Sequence, residues 1–184
     1  MSGLGRVVVG VSGSQASIGA LRLAAGHARC HNALLVAVHA WLPPGGDLTE
    51  GLPAAPHLRL IWKHAAARRL QEAIDSAWGA PPAGVRTELR VARGEAGAVL
   101  LDIADSADDL LVVGTGRRGT LTRLWRGRVT RYCQARAQCL VLAVPPPALA
   151  RKRRDRAGGW SFRHRELTAA QVLHEMEKLG PASR

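Results

Sequence analysis

The 184-residue sequence is poor in aromatic residues (4%), has only three cysteines and, over one long interval, has no acidic residue. Cys30, Cys133 and Cys139 are odd in number and form no C-x-x-C pair, which excludes a disulfide framework and a thiolate zinc site. They read as reduced, partly buried thiols. His27 and His31 share a predicted helical turn with Cys30, but a polar last turn favoured by the helix dipole accounts for them, so no metal is expected. The longest apolar run, Ala33 to Leu42, is broken by His39 and is far shorter than the ~20 residues that span a bilayer. No membrane span is therefore expected. The start, "MSGLGRVVVGVSG", lacks a basic head, a long apolar stretch and a cleavage site, which makes the cytoplasm the expected location.

The acid-free interval runs from Leu110 to Arg154. It carries +11 of the formal net charge of +12, leaving +1 for all other residues. A field this local attracts phosphates, acidic proteins or nucleic acid, and bears on encounter more than on fold. Apolar residues make up 47% of the chain, enough for a globular core.

Five short apolar runs alternate with helical patterns. "RVVVGV" (Arg6 to Val11), "ALLVAVHAW" (Ala33 to Trp41) and "DDLLVVG" (Asp108 to Gly114) show no polar alternation, as expected of strands covered on both faces. Val85 to Ala92 alternates and reads as an edge strand, and "QCLVLAVPP" from Gln138 is a last strand stopped by prolines. Between them lie a helix over Ser14 to His31 with Ser14 as N-cap, and a helix over about Pro56 to Trp78. A short helix within "GEAGAVLLDIADSA" and a basic helical region within "TLTRLWRGRVTRYCQARA" complete the series. The expected apolar stripe of the first helix includes Ile18, Leu21, Leu23, Ala24, Ala25 and Ala28. That of the second includes Leu60, Ile61, His64, Ala67, Leu70, Ile74 and Trp78. The β-α-β-α-β-α-β-α-β order implies an α/β fold with a parallel sheet and helices on both faces. Ligands of such sheets bind at the carboxyl ends of the strands, where the strand order reverses.

Residues 1–147 read as one domain. Residues 148–184 read as a basic linker followed by a C-terminal helix, with Thr168 and Gln171 as a capping box, Leu167 and Val172 as a hydrophobic staple, and Gly180-Pro181 as its stop. So short a helix is marginal alone, and it is expected to dock within the protein or on a partner.

Gly114, Gly116 and Gly119 spell G-x-G-x-x-G after a strand. A dinucleotide fingerprint belongs on the first strand-helix unit and needs an acid about 20 residues on, and none stands between Asp109 and Asp155. A P-loop fails as well, because Thr120-Leu121 follows Gly119 in place of Lys-Ser/Thr.

Taken together, "VVVGVSGSQAS", "VHAW", "ADDLLVVGTGRRGTLTRLWRGRVTRYC" and "AQCLVLAVP", in this order, resemble the universal stress protein family over about residues 5 to 146. The resemblance implies a five-stranded parallel sheet in the order 3-2-1-4-5, and a homodimer paired through the last strand, Gln138 to Val144. It also implies ATP or another phosphate-bearing ligand, with Mg where that ligand is ATP. On the family's pattern Gly114 and Gly127 match the first and third glycines, Val129 matches the valine after the Gly-Ser pair, and Ala40 offers backbone to the adenine edge. Val11, Gly116 and Gly119 complete the candidate nucleotide site with three departures: Ser12 stands for an Asp, Arg117 for a glycine and Arg128 for a Ser or Thr.

Ser12 offers one hydroxyl where a carboxylate would accept from both ribose hydroxyls, a loss of ~1.5 to 3 kcal/mol. Arg117 crowds a position where close approach to phosphate, or positive φ, favours glycine. Arg128 replaces a small donor at a helix N-terminus with a guanidinium that itself pairs with phosphate. The sequence thus reads as a stress-response regulatory or binding module with a degraded nucleotide pocket. An ATP switch or slow ATP hydrolase is one alternative; nucleic-acid or acidic-partner binding through the arginines, with Trp125 and Tyr132 as stacking faces, is another. No Ser-His-Asp set, carboxylate pair or metal cluster converges on the strand ends, which weighs against an enzyme, and no nucleic-acid-binding fold motif is present.

Overall fold

The computed structural model describes residues 4–43, 55–80, 82–116 and 127–147. The strands are β1 (Arg6–Gly10), β2 (Leu34–Trp41), β3 (Thr87–Arg93), β4 (Asp109–Gly114) and β5 (Leu140–Val144). The helices are α1 (Gln15–Cys30), α2 (Ala55–Trp78), α3 (Ala96–Ile103) and α4 (Arg128–Arg136). All pairings are parallel, in the order β3-β2-β1-β4-β5, as the resemblance implied. The expected linker and C-terminal helix, residues 148–184, lie outside the described residues.

β1 is central because its three valines suit burial on both faces: Val7, Val8 and Val9 are fully buried. Val7, Val9, Leu35, Ala37, Leu110 and Val112 form one core with the inner faces of α1 and α2. Val8, Val36, Val38, Leu111 and Val113 form the other with Val99 and Leu100 of α3 and Cys133 of α4. Helices therefore cover both faces.

Ser14 caps α1, its hydroxyl accepting from the Ser17 N–H at 3.2 Å. Asn32, in the left-handed region at φ 50°, turns the chain out of the helix. Of the expected α1 stripe, Leu23 is exposed: at 100° per residue it stands about 160° from Leu21, on the far side of the helix. The α2 stripe differs more. Its buried face is Ala66, Leu70, Ala73, Ile74 and Ala77, while His64 and Ala67 are exposed and Leu60 is 55% exposed. Alanines at three of these five places let α2 lie close to the sheet, whereas the sequence reading gave weight to the large residues.

β3 lies at a sheet edge, as its alternation indicated, and carries exposed Arg90 paired with Glu88 (2.6 Å), a charge pair of the kind that guards an edge. Leu89, expected to face inward, is exposed in this edge strand. β5 forms the other edge and starts at Leu140, two residues later than expected, because α4 ends at Arg136 and Ala137 to Cys139 form the turn.

At the amino ends of β1 and β4 the Arg6 guanidinium donates to both carboxylate oxygens of Asp109 (3.0 and 2.7 Å) and to Asp105 (2.6 Å). The Ser106 N–H adds a bond to Asp109 (3.2 Å), whose side chain is 1% exposed. A buried carboxylate held by a bidentate arginine and a backbone donor has its charge met on several sides. The paired carboxylates raise the Arg6 pKa, and the guanidinium holds the Asp105 carboxyl below its usual range.

Candidate functional site

The strand order reverses between β1 and β4, so the loops leaving their carboxyl ends part and open a crevice. The described walls enclose about 150 Å³. This is below the roughly 300 Å³ at which pockets for drug-sized ligands begin, so a larger ligand would extend out of it. Val11 and Ser12 line it from the end of β1, Ala40 from β2, Gly114 from β4 and Val129 from α4. These five candidate residues come together. Gly116, Gly127 and Arg128 are not among the lining residues, and Arg117 and Gly119 lie outside the described residues.

Val11 and Ser12 are held on three backbone atoms. The Val11 N–H donates to the Val38 carbonyl (2.8 Å), His39 Nδ1 lies 2.7 Å from the Val11 carbonyl, and the Ser12 N–H donates to Ser17 Oγ (3.2 Å). Ser12 Oγ lies 3.1 Å from Ser14 Oγ, and Ser17 Oγ donates to the Ser14 carbonyl (2.9 Å). Three serines thus tie the turn to the first turn of α1 around Gly13, whose φ of +73° suits glycine. Because a carbonyl only accepts, His39 Nδ1 carries a proton. Burial, together with the charge of Arg69, pushes the His39 pKa below its ordinary 6.5, although the Val11 carbonyl opposes the shift.

Gly114 has a reason to be glycine that the sequence did not disclose. A Cβ there would lie 2.8 Å from the backbone of Ala16 and Ser17, so the first turn of α1 passes directly against this residue. Gly10 is similar, since its Cβ would meet Leu100 Cδ1 at 2.9 Å. At Gly116 (φ +67°) and Gly127 (φ +80°) a Cβ would meet no atom of the described residues, and backbone conformation explains both.

Gly127 is the N-cap of α4 and supplies no side-chain cap to it. Arg128 stands at the first helical position, and the next residue, Val129, brings the start of the helix to the crevice. Such a terminus favours an anion. Among the described residues no acidic side chain lines the crevice.

Sequence reasoning missed several lining residues, among them Gly10, Ser17, Val38, His39 and Leu100. His39 had a signal: a histidine inside a buried strand must find a hydrogen-bond partner. Leu100 had none, because its place depends on how α3 folds back over β1.

Tyr132, a candidate stacking face, is 38% exposed, with Arg136 4.4 Å above its ring and Gly97 at its edge. Trp125, Arg118, Arg123 and Arg126 lie outside the described residues. The rings of His27 and His31 stack with centroids 6.4 Å apart on the last turn of α1. Among the described residues no group of three or more His, Cys, Asp or Glu is placed to hold a metal. Cys133 is buried as expected and its thiol is pushed up to about 11, while Cys30 is exposed because it lies outside the buried stripe of α1. Among the described residues no helix is long and apolar enough to cross a membrane.

A five-stranded parallel sheet in this order, with a crevice at its switch point, defines the class as a doubly wound α/β domain. Residues 3–145 match the universal stress protein family, and the chain belongs to that family. Universal stress protein UspA from Lactobacillus plantarum is similar at 21% identity and a TM-score of 0.61, over 78% of this chain and 99% of that one. A universal stress protein solved in complex with cAMP is similar at 28% identity and a TM-score of 0.55, over 79% of this chain and all of that one. No curated protein matches the chain significantly.

Proposed function

We propose that the protein is a regulatory binding module of the stress response whose crevice takes an adenine nucleotide with a weakened grip on the ribose. The observation that carries this is the convergence of Val11, Ser12, Ala40, Gly114 and Val129 on one crevice beside the N-terminus of α4. A relative bound to cAMP supports the ligand class. The Ala40 backbone meets the base, Ser12 the ribose and the first turn of α4 the phosphate; with ATP, Mg accompanies the ligand. Ser12 gives the ribose one hydroxyl, already engaged with Ser14, and no carboxylate stands beside it among the lining residues.

Calorimetric titration of the full chain with ATP and Mg, and with cAMP, tests this. Weak binding is expected, and Ser12→Asp is expected to tighten ATP by about tenfold, the equivalent of ~1.4 kcal/mol. Absence of binding at millimolar ligand in both proteins overturns the reading. Micromolar affinity in the unsubstituted protein would show instead that the pocket is not degraded.

We also propose that β5 pairs with a second copy. Leu140–Val144 is an edge strand with no charged residue, and Leu140 is 70% exposed, in contrast to the charged β3 edge. Sedimentation equilibrium should return twice the chain mass of 19.6 kDa; a monomer at micromolar concentration contradicts the dimer.

A further inference from the structure

His39 is a buried polar side chain at the crevice with a role that nothing above assigns. We propose that His39 is a positioning residue: its Nδ1–H holds the Val11 carbonyl, and so fixes the Val11–Ser12 turn in the form that presents Ser12 to the ligand. The inference rests on the proposed nucleotide site and explains how that site is kept in shape without a ligand.

The geometry is specific. Past the last paired residue of β1, Gly10, the chain makes one more strand-like bond, from the Val11 N–H to the Val38 carbonyl. The Val11 carbonyl has the adjacent residue's side chain as partner, His39 Nδ1 at 2.7 Å, the shortest of the bonds around the turn. The next group along, the Ser12 N–H, is taken by Ser17 Oγ at 3.2 Å. Three consecutive backbone groups are thus held, and His39 supplies the bond that joins the turn to a side chain of β2. Without it a largely buried carbonyl loses its partner, and the turn can rotate to find water. Such rotation would move Ser12, because Val11 is buried and anchors the turn while Ser12 is exposed. The bond also fixes the tautomer, with Nδ1 protonated and Nε2 bare in the neutral ring.

Asparagine can place its amide N–H near the position of Nδ1, whereas leucine fills similar space without a donor. The test compares the full-length protein with His39→Asn and His39→Leu by two readouts: ATP affinity with Mg, and hydrogen exchange of the Ser12 amide in ligand-free protein. His39→Leu is expected to weaken ATP about tenfold and to speed Ser12 exchange by a similar factor, while the exchange of Val8 and Leu111 in the central strands changes far less. His39→Asn is expected to restore both to within about threefold. The proposal is overturned if His39→Leu leaves Ser12 exchange unchanged, or if His39→Asn fails to recover it. If the unsubstituted protein binds no ATP, the proposed function fails, and Ser12 exchange still decides whether His39 holds the turn.

Discussion

Arg6 opens β1 and Val11 follows its end, and the two are secured in opposite ways. At Arg6 the sheet is closed by charge: one guanidinium spans two carboxylates, and one of those is buried. At Val11 it is held by neutral groups only, a histidine, three serines and backbone. The charged end resists opening, because separating its partners leaves a buried carboxylate unmet. The neutral end leaves a crevice with no acidic side chain among its described lining residues, beside the N-terminus of α4, a setting that suits an anion. A strong ion pair at that end would occupy the place of the proposed ligand. The division matches parallel α/β sheets in general, where the amino ends of the strands serve stability and the carboxyl ends serve binding.

The contrast can be broken most severely at the charged end. Asp109→Ala is expected to cost about 3 kcal/mol of stability, the low end for a broken buried pair because the Arg6 side chain is 31% exposed and stays partly solvated. Urea denaturation measures it; a loss below about 1 kcal/mol would mean that charge does not close this end.

The glycines at the open end give the next largest effect. Gly114→Ala drives a methyl into the backbone of α1 and is expected to cost about 2 kcal/mol with no ligand present. Gly116→Ala meets no atom of the described residues but sits at φ +67°, and is expected to cost about 1 kcal/mol. Thermal unfolding of the two variants should rank them in that order. The reverse order would mean that the fit of α1 against β4 is looser than the geometry shows.

Acid gives the smallest effect, and it separates the two ends by pH. The folded His39 takes a proton less readily than the unfolded one, so its stability contribution is complete above 6.5 and declines as pH falls from there toward its lower folded pKa. The Asp105 carboxyl is likewise lowered, so its contribution is complete above 3.8 and is lost only as pH falls through its folded value. Stability measured between pH 8 and pH 3 should therefore decline in two stages, and His39→Asn should remove its share of the upper one. An unchanged upper stage in that variant would mean that other groups produce it.

The succession of elements along the chain was legible because buried parallel strands have a plain signature: Val7 to Val9, Leu35 to Val38 and Leu110 to Val113 are apolar runs without alternation, whereas their spatial order came from the family resemblance. The face of α1 was legible because Ile18 and Leu21 mark it, and that of α2 was misread where alanines alone carry the contact, as at Ala66, Ala73 and Ala77. Val11, Ser12, Ala40, Gly114 and Val129, which line one crevice, were named as candidates through the family resemblance. Arg6 and Asp109 were not recognised as partners, since 103 residues separate them and only the pairing of β1 with β4 brings them together.

The close passage of α1 against Gly114 bears on how such sequences are compared. A glycine that packing alone demands will persist in relatives that have lost every trace of a ligand, and in relatives that never had one. Its presence at this position informs about architecture and is silent about chemistry. The informative variables lie next to it: whether the second residue after β1 is a serine or a carboxylate, and what stands at the first helical position of α4.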